Sequence, residues 1–139
     1  MLKASYYLNP DVVFLAKDLL GKTLCTRIGG VLTCGIITET EAYAGVTDKA
    51  SHAYGDRRTK RTETMYSRGG VSYVYLCYGI HRLFNIVTNT DGVPHAVLVR
   101  AIHPTIGLDE ILKRRGVKPS PTWCVGPGKV TQALGIDLI

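Results

Sequence analysis

No stretch of this 139-residue sequence approaches the roughly 18 apolar residues that a membrane-crossing helix needs, so no membrane span is expected. The N-terminus has no basic segment followed by an apolar core, so no secretory signal is expected either. Cysteine is sparse. Cys25, Cys34, Cys77 and Cys124 contain no C-x-x-C pair, which argues against a zinc site, and no metal is expected. Without an export signal they are expected as reduced, partly buried thiols. There is no internal repeat, low-complexity tract or visible domain boundary. Acidic residues are outnumbered, 11 against 17 Lys and Arg, which leaves a net charge of +6 and a pI near 9.3. That surplus suits a polyanionic partner.

The balance of 45% hydrophobic and 20% charged residues is that of a globular chain, not a disordered one. The length fits a single domain over residues 1–139, able to bury roughly two thirds of its unfolded surface. Two clusters concentrate the basic charge. Arg57-Arg58-Thr59-Lys60-Arg61 lies in a candidate loop and favours a binding role there. Lys113-Arg114-Arg115 also fits a helix C-terminus, where cations meet the helix dipole favourably.

The pattern along the chain alternates helical and extended signals. Asn9-Pro10 predicts a helix start, followed by an apolar stripe from Val12 to Leu20 and a stop at Gly21. Residues 23–28 read as a strand, Gly29-Gly30 as a turn, and Val31 leads into a strand over residues 36–43. In that strand parity puts Ile37, Glu39, Glu41 and Tyr43 on one face, a carboxylate two residues from an aromatic ring. A long loop runs from Ala44 to about Gly70, and loops of that length are usually functional. Residues 71–77 form a second strand, with Tyr73 and Tyr75 on one face. Residues 78–82 look like a hairpin tip, 83–88 return, and 96–102 form a further strand that contains Arg100. Helices are predicted over residues 105–115 and from Gly126-Pro127 to Leu134, closed by Gly135. Strands that look antiparallel, flanked by helices, define the α+β class.

Polar side chains on these apolar strands are the informative ones. Glu41, Asn85 and Arg100, with Tyr43, Tyr75 and Tyr78 nearby and His52 in the loop, could build an aromatic-walled pocket holding one carboxylate. Enzymes that extrude a base from a duplex and cleave it from its sugar need that combination. Taken singly, each has a plainer reading. A tyrosine on a strand is usually core, Asn85 could be a hydrogen-bonded core amide, and His81, His95 and His103 read as solvated.

The motifs Glu39-Thr40-Glu41-Ala42-Tyr43, Asp48-Lys49-Ala50-Ser51-His52, Tyr73-Val74-Tyr75-Leu76-Cys77-Tyr78-Gly79, Asn85-Ile86, Val97-Leu98-Val99-Arg100-Ala101 and Gly126-Pro127-Gly128-Lys129 occur in this order. Together they resemble the monofunctional alkyladenine (3-methyladenine) DNA glycosylases, from Leu15 onward. The resemblance implies a single mixed domain around a curved antiparallel sheet with a DNA-inserting β-hairpin. It implies hydrolysis of the N-glycosidic bond of alkylated or deaminated purines (3-methyladenine, 7-methylguanine, hypoxanthine, ethenoadenine) after base flipping. No lyase step and no cofactor are implied. The implied partner is damaged double-stranded DNA, bound by a monomer. The implied location is the cytoplasm or nucleoid of a bacterium, or the nucleus of a eukaryote.

By the same resemblance Glu41 and Arg100 are catalytic, and Tyr43, His52, Tyr75 and Asn85 line the base pocket. Tyr78 wedges into the duplex, and Thr59, Ile80 and Lys129 lie near the DNA backbone or groove. Two departures carry expectations. Thr62 stands where the family has asparagine, which implies an altered loop order. Family members also continue beyond the last helix, so the apolar face of Val130, Ala133 and Leu134 is expected to lie open and to favour self-association. Two other functions fit the composition: a nucleic-acid-binding protein with weak or no catalysis, and a basic module for RNA or another polyanion. Excision of a damaged base separates the first reading from both.

Overall fold

The structure is a computed structural model and describes residues 1–138. The fold is α+β, as expected. In chain order it contains α1 (Val12–Asp18), β1 (Thr23–Ile28), β2 (Val31–Tyr43), β3 (Ser72–Cys77), β4 (His81–Thr88), β5 (His95–Ile106), α2 (Leu108–Arg115) and α3 (Pro127–Leu134). The strands form one antiparallel sheet in the order β1-β2-β5-β4-β3. The residues divide into two compact units.

The first unit comprises Met1–Lys17, Glu41–Tyr73 and Asn85–Leu98. Its core holds Leu15, Met65, Tyr66, Tyr73, Val87 and Val97, all nearly sealed from solvent. Residues 85–88 of β4 pair with 95–98 of β5, Asn85 facing Leu98 and Thr88 facing His95. A backbone knot ties the N-terminus to the end of the long loop. Asn89 N–H donates to the Tyr7 carbonyl at 2.8 Å, and Gly69 N–H donates to the Asn89 carbonyl at 2.9 Å. Gly69 is obligatory there, because a Cβ would sit 2.3 Å from the Tyr7 oxygen. Helix α1 starts later than expected. Asn9 Oδ1 accepts from Asp11 N–H at 2.8 Å, and Asp11 Oδ1 accepts from Phe14 N–H at 3.0 Å. Asp11 is therefore the cap, and Asn9-Pro10 shapes the turn before it.

The long loop is ordered by its own side chains. Asp48 Oδ2 accepts from Ala44 N–H at 3.0 Å and its Oδ1 from Ala50 N–H at 2.9 Å. Short 3-10 turns form over Gly45–Thr47 and Glu63–Tyr66. Thr62 is buried at 3% exposure. Its Oγ1 donates to the Arg57 carbonyl at 2.7 Å and accepts from Thr59 N–H at 2.8 Å. Thr62 thus cross-links the basic segment. Arg58 chelates Glu63 with two hydrogen bonds of 2.9 and 2.8 Å and stacks 4.7 Å above the Tyr66 ring.

The second unit comprises Asp18–Thr40, Val74–Phe84 and Val99–Ile139, of which Ile139 lies outside the described residues. Strands β1 and β2 form a hairpin about Gly29-Gly30, in which Cys25 faces Cys34 across the ladder, their Cα atoms 4.2 Å apart. The two sulfurs are joined in a disulfide, which corrects the expectation of four reduced thiols; Cys77 and Cys124 are free. The reason is register: directly opposed residues in an antiparallel ladder bring their Cβ atoms within bonding reach. Helix α2 also starts later than expected. Residues 103–106 remain in β5, and Gly107 at φ +75° turns the chain.

The basic run at the end of α2 takes the helix-end role, with structural work added. Arg114 donates to the Thr33 hydroxyl at 3.2 Å and the Ala133 carbonyl at 3.0 Å, and Arg115 to the Trp123 carbonyl at 2.8 Å. The expected open face of α3 does not exist. Val130, Ala133 and Leu134 are each fully buried. Thr26 Oγ1 caps the Leu134 carbonyl at 2.6 Å, and Thr131 Oγ1 donates to the Arg82 carbonyl at 2.7 Å. Strand residues and α2 pack against this helix.

Candidate active site

Within the first unit, the last turns of β2 present the carboxylate. Alternation places Glu41 and Tyr43 on one face, and the Tyr43 hydroxyl donates to Glu41 Oε2 at 2.5 Å. Both side chains are half-buried. A carboxylate at the edge of solvent, with one oxygen held by a phenol, retains acceptor capacity for a proton of water.

A second cluster in that unit centres on Tyr73, buried at 5% exposure. Its hydroxyl lies 3.2 Å from His52 Nδ1, and the two rings meet edge-on with centroids 6.3 Å apart. Its carbonyl accepts from Asn85 Nδ2 at 3.2 Å, which locks the orientation of an amide that is itself only 3% exposed. Burial holds the His52 pKa below its ordinary value, and the Arg61 charge pushes it the same way. Burial pushes the Tyr73 phenol up, with Arg61 partly opposing it. His52 is accordingly a neutral imidazole at physiological pH, and Tyr73 a neutral phenol.

Thr59 stays in the loop lock. It is exposed, and its hydroxyl accepts from Thr62 N–H at 3.2 Å. His95 departs from the solvated reading. It is half-buried, its Nδ1 meets Asn89 Nδ2 at 3.3 Å, and burial lowers its pKa.

Within the second unit, β3 and β4 meet in a two-residue turn. Ile80 N–H donates to the Cys77 carbonyl at 3.1 Å, and Tyr78 and Gly79 have φ of +52° and +68°, the dihedral signs of a type I′ turn. The expected tip over residues 78–82 is thus shorter, because β4 begins at His81. A tyrosine in left-handed backbone costs about 1–3 kcal/mol, and such residues gather at functional sites. Tyr78 is 92% exposed and Ile80 68%. No folding term rewards an exposed aromatic ring on a strained tip.

Tyr78 and Lys129 border a groove of about 460 Å³, together with His81, Arg115 and Gly128. Lys129 Nζ donates to the Thr122 carbonyl at 3.5 Å from the first turn of α3. Arg100 and Tyr75 are half-buried, and the Arg100 carbonyl accepts from Gly126 N–H at 2.7 Å. That bond fixes the glycine that opens α3.

Two residues of the Tyr73 cluster escaped the sequence reading. Tyr73 could have been found from its parity with Tyr75. Arg61 had no local signal, because its partner lies twelve positions away.

A fold of this class, carrying a carboxylate paired to a tyrosine and a strained aromatic hairpin tip, belongs with the DNA glycosylases once known proteins are compared. Residues 6–138 match the family model for methylpurine-DNA glycosylase. The chain belongs to that family. It is 54% identical to a Chlamydia felis protein named "Putative 3-methyladenine DNA glycosylase", over 99% of this chain and 72% of that relative. Proteins of the same name from Chlamydia abortus and Oceanobacillus iheyensis are 54% and 50% identical. Those alignments span 99% and 97% of this chain and 74% and 67% of the relatives.

Proposed function

We propose that this chain hydrolyses the N-glycosidic bond of alkylated or deaminated purines in duplex DNA after turning the damaged nucleotide out of the helix. The observation that carries this reading is the Tyr43–Glu41 hydrogen bond, a held carboxylate in a chain of the methylpurine-DNA glycosylase family. Cleaving the bond builds positive charge on the sugar. Glu41 stabilises that charge and takes a proton from the attacking water, with Arg100 as its partner at that water. Water is the co-substrate, and the chemistry calls for no cofactor.

The remaining residues select the base. Tyr43, His52 and Tyr75 wall the pocket. A purine alkylated at a ring nitrogen is cationic, and aromatic faces attract it by about 0.5–2 kcal/mol. The Tyr73 hydroxyl lies 3.2 Å from His52 Nδ1, and with that hydroxyl as donor the proton of His52 resides on Nε2. That nitrogen can donate to an acceptor at position 6 of hypoxanthine or ethenoadenine, whereas the amine of adenine meets a second donor. Asn85, held by the Tyr73 carbonyl, crowds the exocyclic amine of guanine. Tyr78 fills the hole in the duplex and offsets an unstacking cost of a few kcal/mol. Thr59, Ile80 and Lys129 contact backbone and groove. No lysine stands in the matched pocket to form a Schiff base, so the reaction stops at the abasic site. The protein acts as a monomer on DNA.

The test is a gel assay on duplexes carrying 3-methyladenine, hypoxanthine or 1,N6-ethenoadenine. Alkali-dependent cleavage at the lesion is the expected result. Binding without excision would identify a binding protein instead, and preference for RNA over damaged duplex would identify the polyanion module.

A further inference from the structure

We propose that Thr131 is a positioning residue for the hairpin tip: its hydroxyl fastens the start of β4 to α3 and keeps the tip that carries Tyr78 rigid for entry into the duplex. This rests on the reading above, in which Tyr78 is the wedge.

A wedge works only if its mount does not yield. The β3–β4 hairpin is a poor mount by itself. Strand β3 is an edge of the sheet, and a two-stranded ribbon has little stability of its own. Tyr78 and Ile80 project from the tip into solvent. Just below them, His81 and Arg82 both meet α3, within the second unit.

Thr131 Oγ1 lies 2.7 Å from the Arg82 carbonyl and 3.0 Å from the Gly128 carbonyl. Carbonyls only accept, so the hydroxyl is the donor to either. The Gly128 contact is the back-bond open to any helical threonine. The Arg82 contact is shorter and ties together residues 49 positions apart. Thr131 is 2% exposed, so no bulk water stands ready to replace it. His81 supplies a second contact. Its ring lies so close to Gly128 that a Cβ there would come within 2.8 Å of His81 Nδ1 and 3.2 Å of His81 Cβ. Gly128 has no left-handed φ, so room for His81, not backbone conformation, is what its missing side chain provides. Arg82 also pairs with Asp137, an exposed ion pair that contributes little.

Helix α3 can serve as the mount because both of its ends are pinned. At its start Gly126 N–H donates to the Arg100 carbonyl at 2.7 Å. At its end Thr26 Oγ1 donates to the Leu134 carbonyl at 2.6 Å. Val130, Ala133 and Leu134 are buried between them. The start of β4 is thus tied to an element that cannot shift without disturbing the core.

The experiment uses Thr131→Val, which removes the donor at nearly constant shape, and Thr131→Ser, which keeps it. Hydrogen exchange of the Ile80 amide, bonded to the Cys77 carbonyl across the turn, reads the order of the tip without DNA. Exchange is expected to quicken about three- to ten-fold in Thr131→Val, the scale of one hydrogen bond, and to stay near wild type in Thr131→Ser. On saturating duplex, 2-aminopurine beside hypoxanthine should report a flipping equilibrium lowered about as much in Thr131→Val. Gly128→Ala presses on His81 and loosens the tip by a separate route, with the same two changes expected. Unchanged Ile80 exchange in Thr131→Val overturns the proposal, and so does an equal loss in Thr131→Ser. Where Thr131→Val does not fold, unchanged exchange in Gly128→Ala overturns it. A wild-type flipped fraction in Thr131→Val also overturns it, once Tyr78→Ser has lost that signal. A full signal in Tyr78→Ser refutes the wedge reading instead, and leaves the exchange rates to decide whether Thr131 holds the tip.

Discussion

The Tyr43 hydroxyl donates a hydrogen bond to Glu41 Oε2 at 2.5 Å, two residues along the same face of β2. The bond restricts rotation of the carboxylate. Tyr43→Phe keeps the ring and removes only this donor. A hydrogen bond to a charged group contributes about 1.5–3 kcal/mol, so single-turnover excision should slow by roughly ten-fold or more. Melting temperature should change little, because both side chains are only half-buried. A wild-type rate in Tyr43→Phe would show that the phenol does not position the carboxylate.

Tyr78 stands at a strained tip, almost wholly exposed. Tyr78→Ser should abolish stable flipping and leave weak, salt-sensitive duplex binding from the basic residues. Fluorescence of 2-aminopurine placed beside the lesion reports the flipped state. Retention of the full signal in the variant would remove Tyr78 from the wedge role. Relief of the left-handed strain is not expected to matter, since serine meets the same steric penalty.

Asn85 is buried and its amide orientation is dictated by the Tyr73 carbonyl. Asn85→Ser shortens the side chain and opens space for an exocyclic amine. Guanine release from undamaged duplex should rise above wild type while hypoxanthine excision persists. If guanine release stays at background in a folded, active variant, the discrimination lies with another residue.

Thr62 fastens the basic segment through part-buried hydrogen bonds. Thr62→Val keeps shape and strands the Arg57 carbonyl and the Thr59 N–H. Losing two part-buried hydrogen bonds costs about 0.5–1.5 kcal/mol each, a drop of several degrees in melting temperature. Equal melting curves for variant and wild type would mean that the segment is held elsewhere, by the Arg58–Glu63 pair.

The elements that the sequence announced are those closed by local signals. The β1–β2 turn at Gly29-Gly30, the β3–β4 hairpin and the Gly126-Pro127 start and Gly135 stop of α3 all rest on neighbouring residues. Misplaced boundaries trace to contacts between distant segments. The β2 strand begins at Val31, because Gly35 continues it under Ile102; a Cβ at Gly35 would come within 2.8 Å of that side chain. The start of α2 slipped because Gly107 adopts φ +75° against β2, with its hypothetical Cβ 2.5 Å from the Leu32 carbonyl. Cysteine pairing was invisible for the same reason, since opposition of Cys25 and Cys34 requires the register of a hairpin. In the site, the Glu41–Tyr43 pair was readable from strand parity. The Tyr73–His52 pair was not, because it joins the long loop to a strand beyond it. The covering of α3 was missed because its partners lie far back in the sequence, among them Thr26 and Arg82.

The central claim is that Glu41 prepares the water that displaces the damaged base. The most direct measurement is single-turnover excision of hypoxanthine or 3-methyladenine from duplex DNA by wild type and Glu41→Gln, with duplex affinity measured alongside. The account predicts unchanged affinity and a rate at least ~10²-fold lower, the low end for removing a general base. Near-normal excision by Glu41→Gln would contradict it and move the search for the catalytic carboxylate to Glu39.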